Sequence, residues 1–151
     1  MERVTLPVTV RWSDCDANGH LKNTAYSEYA IEARMAYLTA RGFGFAEMKA
    51  HQFGPVILRE EIDYLRECHM GEVITVDFTM LGLSPDGTRF KMGHELVKAN
   101  GKVAARLVVQ GGWMDLSARR LAPPPAALRA VLEGVPRGEA FELLPGQPPR
   151  G

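Results

Sequence analysis

Cysteine is scarce in this chain, and neither sign of charge is in excess. Its 151 residues include only Cys15 and Cys68, too few for a disulfide framework and without the paired spacing of a zinc site. Lysine plus arginine and aspartate plus glutamate number 18 each, so the composition predicts neither a nucleic-acid groove nor a surface for anionic membranes. The scarcity of cysteine favours a reducing cytoplasm. The balanced charge implies that any anionic ligand would be bound by a few local cations.

Long apolar segments are also missing. No stretch reaches the ~20 apolar residues that a membrane-spanning helix needs. Residues 1–4 have no apolar run behind their charges, as a secretion signal would. We therefore expect a soluble, unexported chain whose 151 residues are enough for a single core.

The apolar residues that are present follow two different periods. Residues 4–12 alternate, which predicts a half-buried strand, and Pro7 favours an edge position because it cannot donate a ladder hydrogen bond. Residues 24–41 carry apolar side chains three and four apart, which predicts an amphipathic helix with Asn23 or Thr24 as its N-cap and Gly42 as its left-handed end. Short turns separate four further strand-like runs, at 56–67, 72–83, 89–98 and 102–114.

This order of elements predicts one compact α+β domain. The only long helix must pack across one face of the antiparallel strands. A five-stranded antiparallel sheet wrapped around one long central helix is the hot-dog fold, which we expect over residues 1–133. A short helix should start at the prolines 123–125, and the Pro/Gly-rich tail 134–151 should hang loosely on the surface.

The loop before the predicted long helix holds the side chains most suited to chemistry. Asp14, Asp16, Asn18 and His20 lie at alternate positions, and Gly19 permits a tight turn. The free N–H groups of a helix start can polarise a carbonyl, while a nearby carboxylate can attack it or activate a water. The same residue types also form ordinary turns and helix caps, so the spacing alone leaves both interpretations open.

The segment also resembles a known family. Asp14-Cys15-Asp16-x-x-Gly19, followed by Asn23, Tyr26 and the helical Glu32-Ala33-Arg34, looks like the signature of hot-dog thioesterases of the 4-hydroxybenzoyl-CoA thioesterase type. The resemblance implies that Asp16 is the catalytic carboxylate and that the backbone N–H of Asn23 polarises the thioester carbonyl. It further implies an acyl-CoA substrate, no cofactor or metal, and a homodimer or homotetramer with the site between protomers.

A second resemblance concerns the same loop and a distant strand. Asp16-x-Asn18-x-His20-Leu21-x-Asn23 is similar to the Asp-x-Asn-x-His-Val-x-Asn motif of acyl-ACP thioesterases, and Glu67-Cys68 matches their glutamate before a cysteine. It implies that Asn18 and His20 position the thioester or the water and that Glu67 is a partner acid or base. We expect Gly19 and Tyr26 to border the substrate.

The match departs from the benzoyl-specific enzymes after the glycine. His20, Leu21 and Lys22 stand where those members have an apolar or aromatic run, so aromatic specificity does not transfer. Two rival functions are a hot-dog hydratase or dehydratase, whose Asp-x-Asn-Pro-x-His motif fits less well, and a non-catalytic acyl-CoA or acyl-carrier binding module.

Other polar residues suggest weaker predictions. The set Asp14, Asp16, His20 and Glu67 lacks a recognised metal-ligand spacing, so no metal site is expected there. We expect the remaining histidines to be ordinary surface or partly buried residues; they are His51, His69 and His94. The cations available for coenzyme A phosphates are Lys22, Arg59, Arg66 and Arg89.

Overall fold

The computed structural model describes residues 3–146. Its strands are β1 (Val4–Thr9), β2 (Phe53–Tyr64), β3 (Val73–Leu83), β4 (Arg89–Val97), β5 (Val103–Asp115), β6 (Arg120–Leu121) and β7 (Arg137–Leu143). Its helices are α1 (Asn23–Ala40), α2 (Phe45–His51) and α3 (Ala126–Glu133). Residues 12–14 form a 3-10 turn between β1 and α1.

The sheet has the order β1-β3-β4-β5-β2, and these neighbours are antiparallel. Two short strands extend it, since β6 pairs with β5 and β7 pairs in parallel with β3. The α+β hot-dog prediction is confirmed: five main strands follow one another in the sheet and α1 packs across one face. The edge position that Pro7 indicated for β1 is also confirmed.

Helix α1 packs on the sheet through a stripe of small and aromatic side chains. Its buried face includes Tyr29, Ala30, Ala33 and Tyr37, at helical spacing. The alanines allow close approach to the buried residues of β3, such as Val76, while Tyr37 meets Phe78 edge to face with centroids 5.3 Å apart. This packing fixes the start of α1 relative to the sheet.

The predicted N-cap of the long helix was wrong. Lys22, in an extended conformation, precedes the first helical residue Asn23, and no side chain of the described residues caps this end. The other end is as predicted: Gly42 has φ +85°, the left-handed conformation that favours glycine. Helix α2 was not predicted, because seven residues are too few to show a helical period.

The expectation that the tail hangs loosely was wrong between Arg137 and Leu143. This segment forms β7 on β3, and Phe141 packs against the core. Residues 147–151 of the predicted tail, and residues 1–2 of the predicted charged start, lie outside the described residues. Between residues 3 and 146, no helix is long and apolar enough to cross a membrane.

The prediction that His94 is a surface or partly buried residue was wrong. Its side chain is 2% exposed on β4, stacks on Phe78, and accepts a hydrogen bond from the Arg34 guanidinium at 3.0 Å. Its Nδ1 donates to the backbone carbonyl of Asp77 at 2.7 Å. Burial is the main reason why the pKa of His94 falls to about 3, so the imidazole is neutral near pH 7.

Candidate active site

Asp14 anchors the loop that precedes α1. Its carboxylate is buried and accepts hydrogen bonds from the Tyr29 hydroxyl at 2.7 Å and from two nitrogens of Arg11 at 3.1 and 3.3 Å. The hydrogen bonds from Arg11 are the largest cause that holds the pKa of Asp14 below its ordinary range. Its backbone carbonyl also accepts the N–H of Lys22 at 2.9 Å. Asp14 therefore ties the loop to both the start and the middle of α1.

Asp16 lies two residues further along, in a very different environment. Its side chain is exposed, and Oδ1 accepts the backbone N–H groups of Asn18 at 2.9 Å and His20 at 3.2 Å. The Asp16 N–H donates to the His20 carbonyl at 2.8 Å, and the turn passes through Gly19 at φ +76°. Both side-chain bonds end on Oδ1 and hold the carboxylate against the backbone of its own loop.

The start of α1 offers donors beside this loop. Ala25 N–H donates to the Lys22 carbonyl at 3.0 Å, and no side chain in residues 3–146 caps the helix. The N–H groups of Asn23 and Thr24 therefore point out of the helix start, where the positive end of the dipole lies. Asn23 itself is exposed, which fits a donor to a substrate oxygen.

The structure brings Glu67 to the same place. The Leu21 N–H donates to the Cys68 carbonyl at 2.7 Å, which joins the loop to the segment after β2. As a result, His20 Nε2 lies 3.3 Å from Glu67 Oε2. Two predicted site residues 47 positions apart in the sequence thus meet as an imidazole–carboxylate pair.

Asn18 contacts the site through its backbone. Its N–H holds the Asp16 carboxylate, and its exposed side chain projects from the loop. The predicted role of this side chain in positioning the thioester or water stays a prediction. The predicted contact of Gly19 with the substrate also stays a prediction. What the structure shows at Gly19 is the left-handed backbone conformation of a turn.

Tyr26 is mainly a packing residue. Its side chain is 4% exposed, its hydroxyl donates to the Arg66 carbonyl at 3.4 Å, and its ring meets Tyr64 edge to face. Burial, as the largest cause, raises the pKa of Tyr26 above its ordinary value. Little of this side chain is left for a substrate, and its predicted contact with the acyl group stays a prediction.

Two residues near the site were missed by sequence reasoning. His69 lies against His20, with ring centroids 4.8 Å apart in an edge-to-face arrangement. Tyr64, at the end of β2, donates from its hydroxyl to the Asn23 carbonyl at 3.2 Å. Neither position is marked by local spacing, because both contacts join segments more than 40 residues apart. The nearest signal was Glu67-Cys68, which already pointed to this segment.

Two of the four available cations lie next to the loop and the Glu67 segment. Lys22 precedes α1 and its Nζ donates to the Ser13 carbonyl at 3.4 Å, while Arg66 directly precedes Glu67. Arg59 is paired with Glu61 on β2 at 2.6 Å.

Comparison with protein families gives one match. A model described as the thioesterase-like superfamily matches residues 10–132, which begin directly after β1 and include the loop, α1 and strands β2 to β6. Comparison with curated proteins finds no match.

Several solved structures are similar to the chain. A hypothetical protein from Staphylococcus aureus, solved in complex with CoA, has a TM-score of 0.81 and 19% identity, covering 97% of this chain and 96% of that one. A 1,4-dihydroxy-2-naphthoyl-CoA thioesterase from Synechocystis has a TM-score of 0.79 and 19% identity, covering 88% and 97%. A putative thioesterase from Pseudomonas aeruginosa has a TM-score of 0.75 and 25% identity, covering 87% and 99%.

Proposed function

The chain belongs to the thioesterase-like superfamily, and on that premise we propose that it hydrolyses an acyl-CoA thioester with Asp16 as the reacting carboxylate. The observation that carries this proposal is the fixed orientation of Asp16, whose Oδ1 accepts two backbone N–H groups beside an uncapped helix start. A carboxylate and oriented N–H donors are the two elements that acyl transfer requires.

The reaction follows from these positions. The thioester oxygen accepts the N–H of Asn23, which stabilises the charge that develops as the carbonyl carbon is attacked. Asp16 either deprotonates the attacking water or attacks the carbon itself and is released by water afterwards. In both routes a C–O bond forms, the C–S bond breaks, and the thiolate leaves as the free thiol after taking up a proton.

His20 and Glu67 assist at the same centre. The imidazole Nε2 lies 3.3 Å from the Glu67 carboxylate, so Glu67 orients the ring. A protonated His20 can give its proton to the leaving sulfur, and Asn18 can hold the water or thioester in place. Lys22 and Arg66 lie beside this loop and are available to an anionic part of the substrate.

The activity is tested by measuring thiol release from a panel of short, long, branched and aromatic acyl-CoAs. We expect release from at least one class, and the panel identifies the acyl group. Crotonyl-CoA tests the rival hydratase function: loss of the enoyl absorbance without thiol release would favour a hydratase. Tight acyl-CoA binding with neither reaction would favour a binding module and contradict the proposal.

We also propose that two copies pair along β2. This strand is 12 residues long, lies at the end of the sheet order and, within residues 3–146, pairs only with β5. Large apolar side chains are exposed on it and just beyond it: Ile57, Leu58, Tyr64 and Leu65. An open edge with exposed apolar residues favours strand pairing with a second chain. Because Tyr64 contacts Asn23, such pairing places a partner strand close to the start of α1.

A Leu58→Glu substitution tests this pairing. Leu58 is 57% exposed in the single chain, so the variant should fold, but a charge buried between two strands should weaken dimerisation about tenfold or more. Sedimentation equilibrium measures the association, and thiol release per chain should fall with it. Leu143→Glu on β7, where the side chain is 72% exposed, is the matched control. A monomeric parent protein, or a Leu58→Glu variant that dimerises as strongly as the parent, would overturn the proposed interface.

A further inference from the structure

Three side chains that can bind a metal converge beside the loop. His20, Glu67 and His69 each offer one ligand atom within 4.8 Å of the other two. The His20 ring is partly buried, whereas the Glu67 and His69 side chains are 68% and 55% exposed. Two of the three can therefore rotate toward a shared ion without disturbing the core.

The backbone explains why they meet. His20 and His69 form an isolated antiparallel bridge, which places directly opposite side chains next to each other on one face. Glu67 is two residues before His69, the spacing that returns an extended chain to the same face. The bridge is held by the Leu21–Cys68 hydrogen bond at 2.7 Å, so the arrangement does not depend on the exposed side chains.

A fourth residue holds the backbone at His69. Glu72 Oε2 accepts the His69 backbone N–H at 2.6 Å and lies 3.7 Å from its Nδ1. The carboxylate lies on the Nδ1 side of the ring, beyond hydrogen-bond distance, and leaves Nε2 for a metal. Glu72 is itself held by Lys98 at 3.3 Å.

We propose that His20, Glu67 and His69 form a binding site for a divalent transition-metal ion, of which Zn²⁺ is the representative. Two imidazoles and one carboxylate suit Zn²⁺, Ni²⁺ and Co²⁺ far better than Mg²⁺ or Ca²⁺, which prefer oxygen ligands. Tetrahedral ligands at about 2.1 Å from zinc lie roughly 3.4 Å apart. His20 Nε2 and Glu67 Oε2 are already 3.3 Å apart. The set differs from the one that sequence spacing argued against, because His69 takes the place of Asp14 and Asp16.

The ion is not a cofactor of the reaction. It occupies His20 Nε2 and the Glu67 carboxylate, the atoms that form the imidazole–carboxylate pair. Bound metal therefore inhibits hydrolysis, a consequence that rests on the proposed function, whereas the binding itself does not.

Calorimetric titration with ZnCl₂ measures the binding directly, and the visible absorption of added Co²⁺ reports nitrogen and oxygen ligands. We expect one Zn²⁺ per chain with micromolar affinity, and affinity at least about tenfold weaker in His69→Gln and in Glu67→Gln. His51→Gln, an exposed histidine on α2, is the matched control and should bind as the parent does. A parent that binds no Zn²⁺, or one whose binding is unchanged in both variants, would overturn the site.

Enzyme assays give a separate result. With an acyl-CoA that the parent hydrolyses, Zn²⁺ should inhibit the parent and EDTA should restore the rate, whereas Mg²⁺ should have no effect. His69→Gln should hydrolyse in EDTA and resist Zn²⁺. Zinc binding at these residues in a protein that hydrolyses no acyl-CoA would support the metal site and contradict only the proposed function.

Discussion

We expect Asp16→Asn to lower kcat for acyl-CoA hydrolysis by about 10²- to 10⁴-fold, the range for removing an acid–base or nucleophilic group. The amide retains an oxygen that can accept the N–H groups of Asn18 and His20, so the loop should keep its conformation. Only the negative charge, and with it the nucleophile or base, is removed. Thiol release under saturating acyl-CoA measures the loss, and the melting temperature should match that of the parent.

The matched control is Glu139→Gln, an exposed glutamate on β7. It removes one negative charge in the same way and should hydrolyse at close to the parent rate. If Asp16→Asn releases thiol as fast as this control, Asp16 does not carry the reaction. If both variants lose activity in parallel with their melting temperatures, the effect belongs to folding.

Asp14→Ala should lower both stability and activity. The substitution leaves the buried Tyr29 hydroxyl without its 2.7 Å acceptor, which should lower the free energy of unfolding by about 2 kcal/mol. It also releases the loop from α1, and a displacement of about 1 Å in a reacting group can cost about a hundredfold in rate. Denaturant unfolding and thiol release at a temperature where the variant is folded measure the two effects.

The control for Asp14 is Asp115→Ala, which removes a carboxylate that accepts the N–H groups of Ser117 and Ala118, in a separate turn. It should lose some stability and keep its activity.

Acid provides a second check, since the pKa of Asp14 is lowered in the folded protein, mainly by Arg11. Its charged form stabilises the fold above the ordinary aspartate pKa of about 4, and this contribution is lost as the pH falls through the lower folded value. The stability difference between the parent and Asp14→Ala should therefore narrow in acid; a difference that widens would contradict the assignment.

Two carboxylates of one motif thus have opposite environments. Asp14 is buried and fully engaged by Arg11 and Tyr29, whereas Asp16 is exposed with one oxygen fixed by backbone N–H groups. The family resemblance selected Asp16 as the reacting residue, and the bonds around Asp14 supply a physical reason for the choice. The role of Asp16 itself is for the Asp16→Asn experiment to decide.

The main elements could be predicted because their signals are periodic over many residues. Strands β3 to β5 and helix α1 follow periods of two and 3.6, and Gly42 marks the end of α1 by its need for a positive φ. Strand β7 could not be predicted in this way, since its pairing with β3 joins residues about 60 positions apart and its own sequence alternates weakly. The cap of α1 was missed because Lys22 precedes the helix without a side-chain bond.

The sequence by itself determined the class of fold, the family resemblance and the loop that carries Asp16, because each depends on the local order of residues or on the periodicity of apolar residues. Only the tertiary structure decided that Glu67 meets His20, that His69 joins them, and that Asp14 is buried against Tyr29. These contacts depend on how the segment after β2 pairs with the loop, and α1 with the sheet. Such pairings are fixed by the burial of the whole core, so the sequence indicated the chemistry of the loop and, through a family resemblance, Glu67, but it did not indicate that His69 lies beside them or that Asp14 is buried.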